Sequence, residues 1–339
     1  MNLRVLSIQS HVVHGYVGNR SAVFPLQVLG IEVDYINSVQ FSCHTGYPIY
    51  KGQVLDAKDL WELYNGLKAN NLHRYTHVLT GYVGCASFLE AVADIVKDLK
   101  EANPDLKYYC DPVLGDRGGL YVPPDLIPVY KEKVLPLADV ILPNQFEAEL
   151  LSDCQITDEA SALACIRVLH SRFKLPVVVI SGTNVRPSSS DSGPDSATGD
   201  MILGYASHCV PSDFQSGDFK LSRDKVIEGL PCDNCGLEQI RLNIPLVPGE
   251  FTGTGDLFSA LVLARLETRQ KSGRGLSFSE SFQMVISTMQ AVICRTLSMA
   301  NESAKNNKSE LDCNSIELKL VQSVDDIRNP PCGDYVTHV

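Results

Sequence analysis

Between Arg4 and Ile180 the chain alternates short apolar runs with longer amphipathic ones, and that rhythm restricts the fold more than any other feature. The apolar or alternating runs Arg4–Ile8, Glu32–Ile36, Thr76–Thr80, Lys107–Cys110, Asp139–Leu142 and Val177–Ile180 read as strands, with Glu32–Ile36 patterned like a half-buried edge. Between them, Arg20–Leu29, Asp56–Asn70, a stretch ending at Asn103, Pro124–Val134, Phe146–Leu151 and a stretch ending at His170 read as helices. Ser87 with Glu90 and Asn144 with Glu147 have capping-box spacing, and Thr157 is placed to cap the last of these helices. Strands separated by helices favour parallel pairing through crossover connections. They predict an α/β fold with a doubly wound, mainly parallel central sheet flanked by helices.

The rhythm breaks at Asn184. Residues 184–200 and 211–239 read as polar surface insertions in a single domain spanning 1–339, with Met201–Ser207 and Ile240–Ile244 as an antiparallel pair between and after them. Cys232 and Cys235 form half of a zinc motif without a second half, so they read as loop thiols. Phe278–Met299 is a long helix, and a short helix or strand is expected near Ile316–Val321.

Net charge is −11, from 29 basic and 40 acidic residues without a basic block, which argues against nucleic acid as a partner. Eleven cysteines, an odd number in no repeating spacing, point to a reducing compartment. The first strand begins at once where a secretory leader would lie, and no apolar run nears the ~18 residues of a membrane span. The expectation is a cytoplasmic enzyme that does not engage membranes.

Polar residues cluster where the strands end: Ser10 and His11, Thr80 to Tyr82, Asp111 to Asp116, Asn144 and Glu147, and Ser181. In parallel sheets ligands bind beyond the carboxyl ends of strands, so this alignment predicts a cleft. His11, His14 and His44 read as its polar lining and not as metal ligands. The chemical centre is Glu250–Phe251–Thr252–Gly253–Thr254–Gly255–Asp256, followed by the apolar run Leu257–Ala264. Glycines bring backbone amides close to an anion at the positive end of a helix, and Asp256 stands where an alcohol proton can be accepted. A plainer role is open to Asp256 as well, that of N-terminal residue of a buried helix.

These pieces carry a resemblance. Leu6–Val12, Gly15–Asn19, Phe24–Gln27, Asn37–Ser42, His44–Tyr47, Leu79–Tyr82, Cys110–Asp116, Pro143–Leu150 and Gly253–Asp256, taken in order, are similar to the pyridoxal kinases of the ribokinase-like superfamily. The likeness runs from residue 3 to about 183 and resumes from about 240 to 299. It implies a three-layer ribokinase-like sandwich and transfer of the ATP γ-phosphate to the 5′-hydroxymethyl of pyridoxal, with pyridoxine and pyridoxamine as further acceptors. Asp256 would be the base, and Gly253, Thr254 and Gly255 the anion hole. Ser10, Val17, Thr45 and Tyr82 would meet the vitamer. Asp111, Asp116, Tyr121, Asn144, Glu147, Ser181, Val247, Phe251 and Thr254 would face ATP, with Asp111, Asp116 and Glu147 on the side of Mg2+ or another divalent cation. Potassium and a homodimer belong to the family pattern too. Leu142 stands where relatives often have Thr, and Ser181–Gly182 replaces a Thr–Ser pair, both beside the region where a monovalent cation would sit. Residue by residue, plainer roles stay open: capping for Asn144 and Glu147, a strand-end turn for Ser10, a packed ring for Tyr82. A hydroxymethylpyrimidine or sugar kinase, or a catalytically silent vitamer-binding protein, are the alternatives.

Overall fold

The structure, a computed structural model, describes residues 3–186, 200–210, 236–267, 275–307, 314 and 316–339. Most of both proposed insertions, with Cys232 and Cys235, lies outside the described residues.

In chain order the elements are β1 (Arg4–Val12), α1 (Asn19–Val28), β2 (Glu32–Phe41), β3 (Gly52–Val54), α2 (Ala57–Ala69), β4 (His77–Thr80), α3 (Ala86–Ala102) and β5 (Lys107–Cys110). A small hairpin follows, β6 (Gly115–Asp116) and β7 (Gly119–Leu120), then α4 (Leu126–Val129), which continues as a π turn over Tyr130–Val134. Next come β8 (Val140–Ile141), α5 (Gln145–Ser152), α6 (Glu159–Phe173), β9 (Val177–Thr183), β10 (Met201–Cys209) and β11 (Leu237–Pro245). The chain closes with α7 (Thr254–Glu267), α8 (Phe278–Asn307), α9 (Val324–Arg328) and β12 (Val336–His338).

Ten strands form one sheet in the order β12-β11-β10-β9-β8-β5-β4-β1-β2-β3. The run from β9 to β2 is parallel, and β3, β10, β11 and β12 add antiparallel edges. Successive strand residues enter opposite layers, as the pleat requires. Leu6, Val78, Tyr108, Ile141 and Val178 join the core under α2, α3 and α6, while Val5, Leu79, Tyr109, Val140 and Val177 join the core under α1, α7 and α8. Because both faces are buried, these strands read as continuous apolar runs. Helix α7 lies between the sheet, α1 and α8, which explains why Leu257 to Ala264 is buried all round.

The chain leaves β1 through α1 toward one face and leaves β4 through α3 toward the other. Crossovers diverging from adjacent strands open a crevice at their carboxyl ends, here above β1 and β4. This topology decides where a ligand can enter.

Several boundaries differ from the sequence reading, each for a physical reason. Strand β1 runs to Val12, because His11 and Val12 pair with Gln40 and Phe41 after a register shift past Gln9. Ser10 and His11 are therefore strand residues at a bulge, a feature that re-aims side chains near sites. Ser181 likewise lies inside β9. Strand β2 is covered by β3 and is not the edge. Cys85, not Ser87, begins α3 and gives no side-chain cap, while Glu90 pairs with Lys133. Asp158, not Thr157, caps α6, in a reciprocal pair with Ser161. Ile316–Leu320 is irregular, with a 3-10 turn at Val321–Ser323.

His170 couples α6 to the sheet. Its Nδ1 donates to the Leu175 carbonyl at 2.6 Å and its Nε2 accepts from Ser207 at 3.0 Å. Burial lowers its pKa to about 4 from 6.5. The unfolded chain therefore binds the extra proton first, and this residue's share of stability falls as pH drops from about 6.5 toward 4. The share at stake is on the order of 3 kcal/mol, at 1.36 kcal/mol per pKa unit. Urea unfolding of wild type and His170→Gln between pH 7 and pH 4 is expected to show a shallower acid decline in the variant.

Candidate active site

The crevice is floored by a buried polar network. Ser7 donates to Asn19 Oδ1 at 2.8 Å, Gln9 donates to Ser7 Oγ at 2.9 Å, and Asn19 donates to the Ile36 carbonyl at 3.0 Å. Each donor has an acceptor, so the loop leaving β1 starts from a fixed point. The loop then turns at Gly15 and Gly18, both at positive φ. A Cβ on Gly18 would lie 2.0 Å from the Ser10 carbonyl oxygen, so only glycine allows this return.

Here the loop meets the start of α7. Gly253 has φ +83, and a Cβ on it would lie 2.0 Å from the Tyr16 carbonyl oxygen. Ser21 donates to the Gly253 carbonyl at 3.0 Å. Thr254 opens the helix and Asp256 is in its first turn, where backbone amides have no acceptor within the helix. Gly18 N donates to Asp256 Oδ2 at 2.7 Å, a bond spanning 238 residues of sequence. Asp256 keeps part of its surface open.

The fold moves the pKa of the Asp256 carboxylate away from its ordinary value. Burial raises it to about 6, against which the Gly18 amide pulls. Desolvation outweighs the Gly18 amide because protein packs around most of the carboxylate, although part of the residue stays accessible. A base near 6 is ionised at neutral pH and better matched to taking a proton than one near 4.

Two more carboxylates lie nearby. Asp111, just after β5, is buried and accepts from Ser259 of α7 at 2.9 Å. Its pKa is pushed well up by burial, then by the charges of Glu147 and Asp256, with Ser259 opposing. Glu147 accepts from the amides of Leu114 (2.8 Å), Gly115 (3.3 Å) and Asn144 (2.9 Å), and burial raises it to about 7 against those amides. In return Asn144 Oδ1 accepts from Glu147 N at 3.0 Å, and Asn144 Nδ2 donates to the Gly115 carbonyl at 2.8 Å. The capping roles of Asn144 and Glu147 are therefore real, and they also brace the hairpin β6–β7.

That hairpin turns on Arg117 and Gly118, both at positive φ as a type I′ turn demands. It carries Asp116, which is exposed and accepts from Arg117 N, and leads into the exposed Tyr121. Arg117 reaches Glu250 at 3.0 Å, tying the hairpin to the segment before Gly253. Val247 and Phe251 are half-buried in that segment. Ser181 is half-buried and hydrogen-bonded through its amide to the Pro143 carbonyl at 3.0 Å. Leu142 is buried in the core.

On the other side, Ser10 is half-buried beside Gly18, Val17 is buried, and Thr45 is exposed in the loop after β2. Tyr82 follows β4 half-buried, its carbonyl accepting from Ser38 at 2.8 Å. His11 stacks on Tyr35, His14 contacts Asn314 at 2.9 Å, and His44 faces Glu317. Sequence reading missed Gly18, Ser259 and Glu317. Gly18 had a visible signal, a glycine in a short loop after a strand; Ser259 hid inside an apolar helix.

Among the described residues no three His, Cys, Asp or Glu side chains form a set that could hold a metal by themselves. The repulsion that Asp111 feels from Glu147 and from Asp256 still fits a cation that is shared with phosphate oxygens and water, as Mg2+ prefers. Asp111, whose one oxygen already accepts from Ser259, is the side chain best placed to contribute.

Comparison with known proteins bears on what such a site serves. The phosphomethylpyrimidine kinase family profile matches residues 73–202. A pyridoxal kinase of Homo sapiens is 44% identical over 331 residues, 96% of each chain. One of Arabidopsis thaliana is 42% identical, over 96% of this chain and 92% of its own. The pyridoxal kinase of Leishmania donovani, solved in complex with ADP and pyridoxamine, superposes with a TM-score of 0.80 at 30% identity over the whole of both chains. With the βα sandwich, the crevice above β1 and β4 and the Gly253–Asp256 turn all in place, this chain belongs to the pyridoxal kinase family.

Proposed function

We propose that the chain transfers the γ-phosphoryl group of ATP to the 5′-hydroxymethyl of pyridoxal, giving pyridoxal 5′-phosphate, and that pyridoxine and pyridoxamine serve as alternative acceptors. The observation that carries the reading is the Asp256 carboxylate, fixed by the Gly18 amide at 2.7 Å beside the first-turn amides that open α7, which have no acceptor within the helix. Asp256 orients the alcohol and takes its proton as the phosphoryl group arrives. The amides of Gly253, Thr254 and Gly255 receive the negative charge of the transferring group, and being already oriented they need no reorganisation.

Asp111, Asp116, Tyr121, Asn144, Glu147, Ser181, Val247, Phe251 and Thr254 form the nucleotide side of this proposal, and Ser10, Val17, Thr45 and Tyr82 the vitamer side. The hairpin held by Arg117 and Glu250 excludes water from the phosphates. A divalent cation bound by Asp111, with Asp116 and Glu147 behind it, would neutralise the phosphate charge. A potassium site near Ser181 fits less well, since Leu142 offers no oxygen from its side chain. A single domain over 1–339 is part of the proposal. So is a homodimer through β3, the terminal strand of the sheet among the described residues, near which Ile49, Tyr50 and Val54 are exposed. Every described cysteine is a free thiol, which suits the cytoplasm, and no helix among the described residues is long and apolar enough to cross a membrane. The phosphomethylpyrimidine profile favours hydroxymethylpyrimidine as the second acceptor to test.

Incubation with ATP, Mg2+ and each alcohol, followed by the absorbance of pyridoxal 5′-phosphate or by ADP release, tests the assignment. Turnover of hydroxymethylpyrimidine or a sugar, with none of pyridoxal, would overturn it. The wild-type kcat/KM for pyridoxal is expected to rise through about pH 6, where Asp256 becomes ionised, and to level above it. Asp256→Asn should lose turnover by about 10²- to 10⁴-fold while pyridoxal binding, followed by fluorescence, changes little. Gly18→Ala should reduce kcat/KM about tenfold or more, because the added Cβ displaces the loop from Ser10 and its amide from Asp256. Gly66→Ala, on open surface of α2, is the matched control and should leave turnover unchanged.

A further inference from the structure

Glu317 has no task in the chemistry just described, yet it is buried against the vitamer side of the crevice. It comes from the irregular segment before α9 and reaches back across most of the chain. Its Oε2 accepts from Tyr16 N at 3.1 Å and its Oε1 from the Tyr47 hydroxyl at 3.1 Å. His44 Nε2 lies 3.3 Å from the same Oε1. The Gly46 amide donates to His44 Nδ1 at 3.1 Å, which leaves the ring proton on Nε2, facing the carboxylate. One buried carboxylate therefore gathers donors from two separate loops.

Both loops matter for the acceptor. The first, Gly15 to Gly18, also supplies the amide that holds Asp256. The second, His44 to Tyr47, carries Thr45. The first loop is gripped from both sides: a Cβ on Gly15 would lie 2.3 Å from Glu317 Oε1, and a Cβ on Gly253 would lie 2.0 Å from the Tyr16 carbonyl oxygen. None of these partners of Glu317, Tyr16, Tyr47 and His44, is assigned to the nucleotide.

We infer that Glu317 is a positioning residue, holding the Gly15–Gly18 and His44–Tyr47 loops together so that the alcohol-binding half of the site is set independently of the nucleotide half. The inference rests on the kinase activity proposed above. It gives the C-terminal segment a part in acceptor recognition.

The test compares wild type, Glu317→Gln and the milder Tyr47→Phe. Glutamine keeps the shape but replaces one accepting oxygen with a donor that meets other donors. Glu317→Gln should raise the KM for pyridoxal about tenfold and leave the KM for ATP within about twofold, and Tyr47→Phe should act in the same direction more weakly. An anchor without a positioning role would lower the melting temperature and leave both KM values alone; that result, or an equal rise in both, overturns the inference. Amide hydrogen exchange supplies a readout that needs no turnover. In Glu317→Gln the amides of Tyr16 to Gly18 and of Gly46 should exchange faster, while those of β5 and β8 should not. Unchanged exchange in the two loops overturns the inference whatever the kinetics show. If the wild type phosphorylated no B6 vitamer, the activity reading would fall and the exchange result alone would decide this one.

Discussion

The hydrogen bond from Gly18 N to Asp256 Oδ2 joins the first βα loop of the sheet to the first turn of α7, 238 residues further along the chain. Nearly everything else in the fold can be understood as making that bond possible. The crossovers from β1 and β4 must diverge to open the crevice. Helix α7 must be apolar all round to lie between the sheet and two other helices with its first turn aimed at the opening. Glycine must stand at positions 18 and 253, because each backbone passes within contact distance of another chain segment. Remove either glycine and the carboxylate loses the partner that fixes its direction.

The site gathers negative charge in a place that water reaches poorly. Asp111, Glu147 and Asp256 all have raised pKa values, with burial the first cause in each case. The protein offsets this mainly with backbone amides and the Ser259 hydroxyl and not with basic side chains. Amides are fixed dipoles: they stabilise charge without neutralising it, so the pocket keeps a demand for cations that a nucleotide and its metal can meet. The same economy suits phosphoryl transfer, in which the protein positions groups and stabilises charge and the bond changes occur in the substrates.

Much of this was legible in the sequence, and the limits were physical. The alternation of strands and helices survives in a one-dimensional string because each element's pattern is local, and so α7, α2 and the Asn144–Glu147 box read correctly. Strand ends read less well: Ser10 and Ser181 proved to lie inside strands because pairing partners, not local composition, decide where a ladder stops. The Ser87–Glu90 spacing imitated a box whose geometry the chain never adopts, since the N-terminal cap position of α3 is Cys85, two residues earlier. Asp256 was legible as a helix-start carboxylate, but its pKa was not, because desolvation depends on what folds over it. Glu317 was invisible: it sits in a patternless tail, and its partner Tyr16 lies 301 residues away.

A crystal structure with an unreactive ATP analogue, Mg2+ and pyridoxal bound together tests the central claim most directly. The account expects the γ-phosphate against the amides of Gly253 to Gly255, with the vitamer's hydroxymethyl oxygen within hydrogen-bond distance of Asp256 while Gly18 still holds that carboxylate. A γ-phosphate bound away from these amides, or an Asp256 turned from the vitamer with Gly18 released, would contradict it.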